Sequence, residues 1–268
     1  MGDCKKLVVK VIPSRIANPF VRRVHYSGRV ATTSQVHFGV FYNGGLHGVL
    51  SFGPSLDKSK TIGLVEGTAW NGFLELNRLA FDDVLPRNSE SRAISVCMKL
   101  LKRNAPHVEW IISFADGCQC GDGTIYRASG FILTGIRENK SIVLMPNGEI
   151  VHKFQLRSTA NSAIYRKYGG RGECEGAMIK RIGAKFLEGF QLRYIYFINK
   201  SKRADLTVPE IPFSEIAARG AKMYLGKPSA GSVDGDTSAI PAGKGGSIPT
   251  PALKLKRLPN GEAQTSKG

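Results

Sequence analysis

The sequence contains no apolar run long enough to cross a membrane. A transmembrane helix needs about 18 or more mainly apolar residues in succession, and polar residues interrupt every apolar run here well before that length. The opening stretch MGDCKKLVVKV also lacks the hydrophobic segment of a signal peptide. We therefore expect a cytoplasmic protein with no membrane partner.

Cysteine is scarce, and the five residues are odd in number. Without an export signal, reduced thiols are the expected state. Cys118 and Cys120 form a close pair, but no second Cys or His pair follows at the spacing of a structural zinc site. We therefore expect thiols in a loop with no role as metal ligands.

Two common phosphate-binding signatures are missing as well. The glycine-rich stretch SFADGCQCGDGTIYRASGF, residues 113–131, matches neither the Walker lysine motif nor the GxGxxG that opens a dinucleotide-binding fold. The absence argues against both nucleotide-binding classes. The glycines instead predict a tight turn between a strand and a short helix.

Acidic residues are few, at 21 Asp and Glu against 38 Lys and Arg, for a net charge of +17. Residues 226–268 hold only six basic and three acidic residues, so most of the excess lies in the rest of the chain. A surface of this sign attracts polyanions, which makes a nucleic acid the first candidate partner.

Two segments interleave basic and aromatic residues, FVRRVHYSGR (20–29) and SAIYRKYGGRG (162–172). Such segments neutralise phosphates and stack on unpaired bases. The alternative is a solvated basic face whose aromatic rings turn inward. The residues expected to contact the nucleic acid are Arg22, Arg23, Arg29, Arg166, Lys167 and Arg171.

The hydrophobic pattern predicts an α/β body (α+β, in three layers) with a mixed twisted sheet. Strands are predicted at residues 7–13, 72–81, 108–115, 131–136 and 192–198, with hairpins turning at Asn43-Gly44 and Asn147-Gly148. The run in 108–115 is almost continuously apolar, which is typical of a central strand covered on both faces.

Helices are predicted at residues 14–26 and 86–103, with a short one in 123–129 that ends at Gly130. Ser14 is a candidate N-cap of the first, and Pro19 predicts a break or kink. The second carries an apolar stripe at spacings of three and four, and Asn88 or Ser89 is its candidate cap.

Composition divides the chain into three parts. Residues 1–200 are expected to form a compact α/β domain, and residues 201–225 a C-terminal extension with a short helix. In residues 226–268 Gly, Ser, Pro, Ala and Lys dominate. Such a composition cannot offset the entropy of ordering, so we expect a disordered tail.

The start of the second long helix is the best candidate anion site. A strand ends there and a helix begins, so backbone N–H groups and the helix dipole converge on one point. An ordinary capped helix is the alternative. The side chains that would hold a donor phosphate are Arg87, Asn88, Ser89, Ser91 and Arg92.

The order of elements, with Y-x-x-x-G-F at residues 126–131, resembles the GNAT acyltransferase architecture. More closely, the chain resembles the phage Mom family of DNA adenine-modifying enzymes, a divergent GNAT branch, from about residue 8 to about residue 200. The motifs that carry the resemblance, in family order, are HYSG (25–28), ELNRL (75–79), PRNSESR (86–92), SFAD (113–116), GTIYRASGF (123–131) and RYIYF (193–197).

The resemblance implies transfer of a small group to the exocyclic amine of adenine in double-stranded DNA. The family product is a carbamoylmethyl-type adenine that shields phage DNA from host restriction, which places the protein in the host cytoplasm. The implied cofactor is acetyl-CoA or a related acyl donor, although plain acetyl transfer would not give that product. Because the amine lies inside a duplex, we expect the base to be flipped out.

By resemblance, His25, Arg78, Ser91, Asp116 and Tyr126 fall on the family's functional positions. Asp116 follows an apolar strand at its carboxyl end, where α/β sites commonly lie, and is expected to accept the proton of the amine; the alternative is a turn cap. Tyr126 is expected to donate a proton or orient the donor, or else to pack in the core.

His25 is expected to act as a general base or as one ligand of a His–Asp metal pair with Asp116, and a mononuclear iron is compatible with such a pair. Arg78 is expected to steady the donor anion or the substrate; its alternative is a surface ion pair. His47 and Glu75 are secondary candidates for the same cavity.

Two rival functions stay open on the sequence. One is a GNAT-type N-acetyltransferase that acts on a protein, tRNA or small-molecule amine. The other is a non-catalytic DNA-binding accessory protein. Only a DNA-modifying transferase predicts a new adenine species and restriction-resistant DNA in cells that express the protein.

Overall fold

The sheet strands and helices follow the predicted order in the computed structural model, which describes residues 3–157, 159, 162–170, 172–224 and 227–228. The strands are β1 (Val8–Val11), β2 (Val36–Tyr42), β3 (Gly45–Gly53), β4 (Phe73–Phe81), β5 (Trp110–Asp116), β6 (Ile132–Glu138), β7 (Ile142–Leu144), β8 (Ile150–His152), β9 (Lys185–Phe186), β10 (Phe190–Phe197), β11 (Met223–Tyr224) and β12 (Lys227–Pro228). Arg171 and, apart from residues 227–228, the predicted tail of residues 226–268 lie outside the described residues.

The helices complete the element order. The α-helices are α1 (Ser14–Val24), α2 (Lys58–Thr61), α3 (Ser89–Asn104), α4 (Thr124–Ala128), α5 (Ala163–Tyr168), α6 (Glu175–Arg181) and α7 (Ser214–Ala218), and short 3-10 turns include Asp3–Lys6, Ile62–Leu64, Lys153–Leu156 and Lys200–Asp205. None of the helices in the described part of the chain is both long and apolar enough to cross a membrane.

Seven strands form one mixed sheet in the order β1-β2-β3-β4-β5-β10-β6. All neighbours are antiparallel except β4 and β5, which are parallel. The β4–β5 pairing ends at Glu75 opposite Ile112, while β4 continues to Phe81 and β5 to Asp116. The two strands therefore diverge at their carboxyl ends, which confirms the predicted mixed α/β sheet and opens a cleft within it.

Helices cover both faces of this sheet. Leu50 and Phe52 of β3 pack in the core that contains the buried stripe of α3, whereas Val49, the residue before them, packs on the other face with Phe20 and Val21 of α1. The alternation follows from the two-residue period of a strand. The arrangement confirms the predicted three layers.

The turn chemistry is confirmed at both predicted hairpins. Asn43 and Gly44 have φ of 49° and 84° between β2 and β3, as a two-residue type I′ turn requires. The second hairpin joins β7 to β8, and Gly148 there has φ of 81°.

The expected cap at Ser14 and the expected break at Pro19 are wrong, the alternative kink at Pro19 stays a prediction, and the expected cap at Asn88 is right in position only. Ser14 is the first residue of α1, and Pro13 precedes it in the cap position. The helix also runs on through Pro19 to Val24, because the burial of its apolar face outweighs one missing hydrogen bond. At α3, Asn88 occupies the cap position with φ of 68° but its side chain makes no capping bond.

Residues 139–189, which we call the insert, lie between β6 and β10. They hold β7, β8, β9, α5 and α6 around a small core of their own. At its base, the buried side chain of Asn139 donates to the carbonyls of Ile142 and Leu187, at 2.8 Å each. One amide side chain thus ties both ends of the insert together.

Candidate active site

A cleft of about 1600 Å³ occupies the divergence between β4 and β5. Its walls come from the loop after α1, the two diverging strands, the turn before α4 and the insert. The residues on which the site rests are His25, Tyr26, Glu75, Arg78, Asp116, Tyr126 and His152. The structure therefore brings together the three predicted catalytic side chains, His25, Asp116 and Tyr126, with Arg78.

Asp116 ends β5 and is 8% exposed. One carboxylate oxygen accepts from the Cys118 N–H at 3.0 Å and from Gln191 Nε2 at 2.8 Å. The other accepts from Gln119 Nε2 at 2.7 Å and from the Tyr26 hydroxyl at 3.5 Å. Four donors thus orient the carboxylate, and the longest contact, from Tyr26, is the one that a substrate amine could replace most easily.

His25 directly follows α1 and faces the same cleft. Its Nδ1 accepts the Ser27 backbone N–H at 3.2 Å and lies 2.8 Å from the Ser27 hydroxyl. Because a backbone N–H can only donate, the proton of the neutral ring belongs on Nε2. Burial, and secondly the charge of Arg78, lowers the pKa of His25 to about 3. His25 is therefore a neutral hydrogen-bond donor at physiological pH.

The predicted His–Asp iron pair does not fit these contacts. Both nitrogens of His25 are committed, Nδ1 as an acceptor and Nε2 by its proton, and the Asp116 carboxylate already accepts four hydrogen bonds. A metal ligand needs a free lone pair. Among the described residues, no group of three or more His, Cys, Asp or Glu side chains could hold a metal ion.

Tyr126 lies on α4, on the opposite side of the turn from Asp116. Its ring is 8% exposed and packs at 5.2 Å from the ring of Tyr194 and 5.3 Å from that of Phe131. Burial raises its pKa to about 12. The ring therefore packs in the core with a protonated hydroxyl at neutral pH, and the role of Tyr126 at the donor stays a prediction.

Glu75 and Arg78 project from the diverging part of β4. Arg78 Nε donates to the Arg29 carbonyl at 2.8 Å and Nη1 to the Asn77 carbonyl at 2.6 Å. Arg78 therefore donates to two backbone carbonyls, and among the described residues it does not form the surface ion pair that was the alternative expectation. Burial raises the pKa of Glu75, which makes it a second carboxylate that can exchange a proton in the cleft. Secondary candidate His47 pairs with Asp82 instead, at 2.9 Å.

The predicted donor-binding residues lie at the α3 start but not among the residues that line the cleft. The Ser91 hydroxyl donates to the Asn88 carbonyl at 3.2 Å and that of Ser89 to the Pro86 carbonyl. Arg87 and Arg92 are exposed. Their role at a donor phosphate stays a prediction.

The predicted DNA contacts occupy different surroundings. Arg22 and Arg23 are exposed at the end of α1, and Lys167 is exposed on α5 next to Arg166. Arg29, by contrast, pairs with Glu149 of the insert at 2.9 Å.

The two loop cysteines of the turn carry protonated thiols. Burial, and secondly Asp116, raises the pKa of Cys118 and of Cys120 to about 12. Cys120 lines the cleft beside Tyr26.

Sequence reasoning missed several side chains of the cleft. Tyr26 lies in the quoted motif HYSG, and an aromatic residue beside a candidate histidine was the available signal. Gln119 and Gln191 hold Asp116, but Gln191 lies 75 positions away, and no local pattern marks it. His152 has no sequence signal of this kind.

Comparison with known proteins shows which family the sequence matches. The sequence model of the Mom protein family matches residues 6–215. The methylcarbamoylase Mom of Escherichia phage Mu is 36% identical over 203 residues, which cover 75% of this chain and 80% of that protein.

Solved acetyltransferase structures are more distant. The ribosomal-protein-S18-alanine N-acetyltransferase of Escherichia coli is 11% identical, with a TM-score of 0.38 over 72% of this chain and 94% of that one. The spermidine/spermine N-acetyltransferase SpeG of Vibrio cholerae is 8% identical, with a TM-score of 0.41 over 75% and 98%.

Proposed function

The chain belongs to the Mom protein family, and from this membership we propose that it is a DNA-modifying transferase. It converts adenine in double-stranded phage DNA to a carbamoylmethyl-type derivative on the exocyclic amine and so protects the DNA from host restriction. The observation that carries the proposal is the match to the phage Mu methylcarbamoylase over three quarters of the chain.

The cleft supports the chemistry in three ways. It lies at the carboxyl ends of diverging strands, where a reacting group and a flipped base can meet. Asp116 is fixed by its donors and accepts a hydrogen bond from the amine in place of Tyr26. The neutral Nε2–H of His25 and the hydroxyl of Tyr126 donate hydrogen bonds to the transferred group or its leaving group.

The amine loses a proton when it forms the new bond to carbon. Asp116 is the predicted acceptor, and Glu75 is a second candidate because burial raises its pKa toward the working pH. Arg78 contributes the positive charge of the cleft and steadies an anionic group of the donor or substrate.

We propose a CoA-type or related donor, and the group that it carries must differ from acetyl, because plain acetyl transfer would not give the carbamoylmethyl product. The sixteen-residue helix α3 directs the positive end of its dipole toward residues 87–92, flanked by exposed Arg87 and Arg92. A phosphate held there would leave the reacting end of the donor free to extend between β4 and β5.

The test is nucleoside mass spectrometry on DNA from bacteria that express the full chain. We expect a modified adenine whose mass fits carbamoylmethyl rather than acetyl, and DNA that resists restriction. Asp116→Asn should lower the yield by about 100-fold or more, because it removes a charge that contacts the reacting amine. Asp83→Asn, at an exposed carboxylate of the β4–α3 connection, is the matched control.

The rivals give other outcomes. An acetylated adenine, or unmodified DNA beside an acetylated protein or tRNA, supports the acetyltransferase reading. Unmodified DNA bound tightly by the purified chain supports the accessory-protein reading. Full yield from Asp116→Asn would remove Asp116 from the mechanism while leaving the activity in place.

A further inference from the structure

The insert forms one wall of the cleft, and none of the predicted site residues lies in this wall. Its β7–β8 hairpin is held beside the loop that carries His25 by the Arg29–Glu149 ion pair, 2.9 Å between Nη2 and Oε1. From this hairpin and the 3-10 turn that follows, Ile150, His152, Phe154 and Gln155 line the cleft. The insert therefore faces the reacting centre directly.

Three side chains of this wall form a stacked column. The rings of His152 and Phe154 lie 4.7 Å apart with an angle of 38° between their planes. The guanidinium carbon of Arg157 lies 4.3 Å from the centre of the Phe154 ring, and Glu175 binds the same guanidinium through two hydrogen bonds. The column thus runs from Arg157 through Phe154 to His152, and both rings line the cleft.

The orientation of the His152 ring is fixed by the backbone. Its Nδ1 accepts the Phe154 N–H at 3.2 Å, so the proton of the neutral ring lies on Nε2. Burial, and secondly the charge of Lys153, lowers the pKa of His152. His152 therefore presents a flat, uncharged and immobilised ring to the cleft.

A second aromatic pair stands on another wall of the same cleft. His25 and Tyr26 have ring centres 4.2 Å apart, and the Tyr26 hydroxyl contacts Asp116. Asp116, the carboxylate proposed to contact the amine, lines the same cleft as His152. Both pairs of rings thus line the cleft that also contains Asp116.

We propose that His152, backed by Phe154 and Arg157, is the surface on which the extrahelical adenine stacks. The inference rests on the proposed function, since it assigns the binding site of the base within it. Stacking on an aromatic ring stabilises an unpaired base and offsets part of the cost of leaving the duplex. The insert is then the part of the enzyme that holds the substrate base.

Two substitutions at His152 separate stacking from structure. His152→Phe keeps an aromatic ring and removes the acceptor for the Phe154 N–H. His152→Asn keeps a side-chain acceptor for that N–H and removes the ring. If His152 served only to hold the turn, the Asn variant would be the functional one. If His152 stacks on the base, the Phe variant would be the functional one.

The measurement is permanganate oxidation of thymines in a mixed-sequence duplex bound by the purified chain without donor. An adenine that leaves the helix unpairs its thymine, which then reacts. We expect hyperreactive thymines with the wild-type protein and with His152→Phe, and about tenfold less reaction with His152→Asn. Binding of the duplex by fluorescence anisotropy should change little, and thermal unfolding identifies any loss of fold.

Three results overturn the assignment. They are full reactivity with His152→Asn, lost reactivity with a folded His152→Phe, and no hyperreactive thymine with the wild-type protein on DNA that it modifies in cells. The proposed function fails separately, by the absence of modified adenine in those cells. The two failures are therefore distinguishable.

Discussion

At the scale of single residues, buried hydrogen bonds decide what each titratable side chain of the cleft can do. Four donors orient Asp116, and a backbone N–H commits His25 to its Nε2–H form. Burial leaves Glu75 with a raised pKa. In the proposed reaction these states favour the carboxylates as proton acceptors and His25 as a neutral hydrogen-bond donor.

The neutral state of His25 predicts a stability that depends on pH. Its pKa is about 3 in the folded chain against 6.5 in the unfolded one, so below pH 6.5 the unfolded state binds more protons and the free energy of unfolding falls as pH falls. Between pH 7 and pH 5, the wild-type chain should lose about 2 kcal/mol more than His25→Asn, which cannot titrate. Urea unfolding at both pH values measures this difference.

His25→Asn keeps an acceptor for the Ser27 N–H, and the other buried histidines, His37 and His152, are the same in both proteins. Their contributions cancel in the comparison. Equal losses in the two proteins would mean that His25 titrates normally in the folded chain.

At the scale of elements, the turn between β5 and α4 sets the spacing of the site. The backbone N–H groups of Gln119 and Cys120 donate to the Asp116 carbonyl, at 3.2 and 2.9 Å, and so fold the turn back on the end of β5. The Tyr194 hydroxyl donates to the Asp122 carbonyl at the other end. Asp116 and Tyr126 consequently face one cleft from the two sides of the turn.

Gly123 is the point where this turn depends on glycine. Its φ is 80°, and an added Cβ would lie 2.6 Å from the Tyr194 ring and 2.9 Å from Ala115 Cβ. We expect Gly123→Ala to lower the free energy of unfolding by about 2–4 kcal/mol, from backbone strain and steric overlap together. Denaturant unfolding gives the value.

Gly44→Ala is the matched control, since Gly44 has a φ of 84° but nothing within 4 Å of an added Cβ. Strain alone should cost about 1 kcal/mol there. A similar loss in both variants would show that packing against Tyr194 does not constrain the turn.

At the scale of the whole molecule, the positive charge is only partly neutralised within the chain. Arg29, Arg157, Arg181 and Arg203 each pair with a glutamate. Exposed basic residues at the end of α1 and on α5 add to the net charge of +17. DNA binding should therefore weaken steeply with salt.

Lys167→Ala tests this surface. The ammonium group lies 5.0 Å from the Tyr168 ring centre on α5 and is exposed. If it contacts a phosphate, its removal should weaken binding to all sequences and reduce the slope of log K against log salt by about 0.9. Arg219→Ala is the control, because Arg219 pairs with Glu215 at 3.1 Å on another element. Equal effects of the two changes would contradict a specific phosphate contact by Lys167.

Local patterns predicted most of the elements because their physics is local. The Asn43-Gly44 turn needs only two residues that tolerate positive φ, and the stripe on α3 needs only its own spacing. The pattern failed where tertiary burial competes with a local signal. Pro19 remained inside α1 because Phe20 and Val21 on its buried face pack against the sheet.

The sequence by itself determined the basic character, the α/β order of elements, the family motifs and the chain positions of Asp116 and Tyr126. Only the tertiary structure decided the protonation of His25, the four partners of Asp116 and the placement of the insert across the cleft. The physical reason is distance along the chain. Tyr26 and Gln191 meet Asp116 from 90 and 75 positions away, and burial, which sets each pKa, exists only once the sheet has formed.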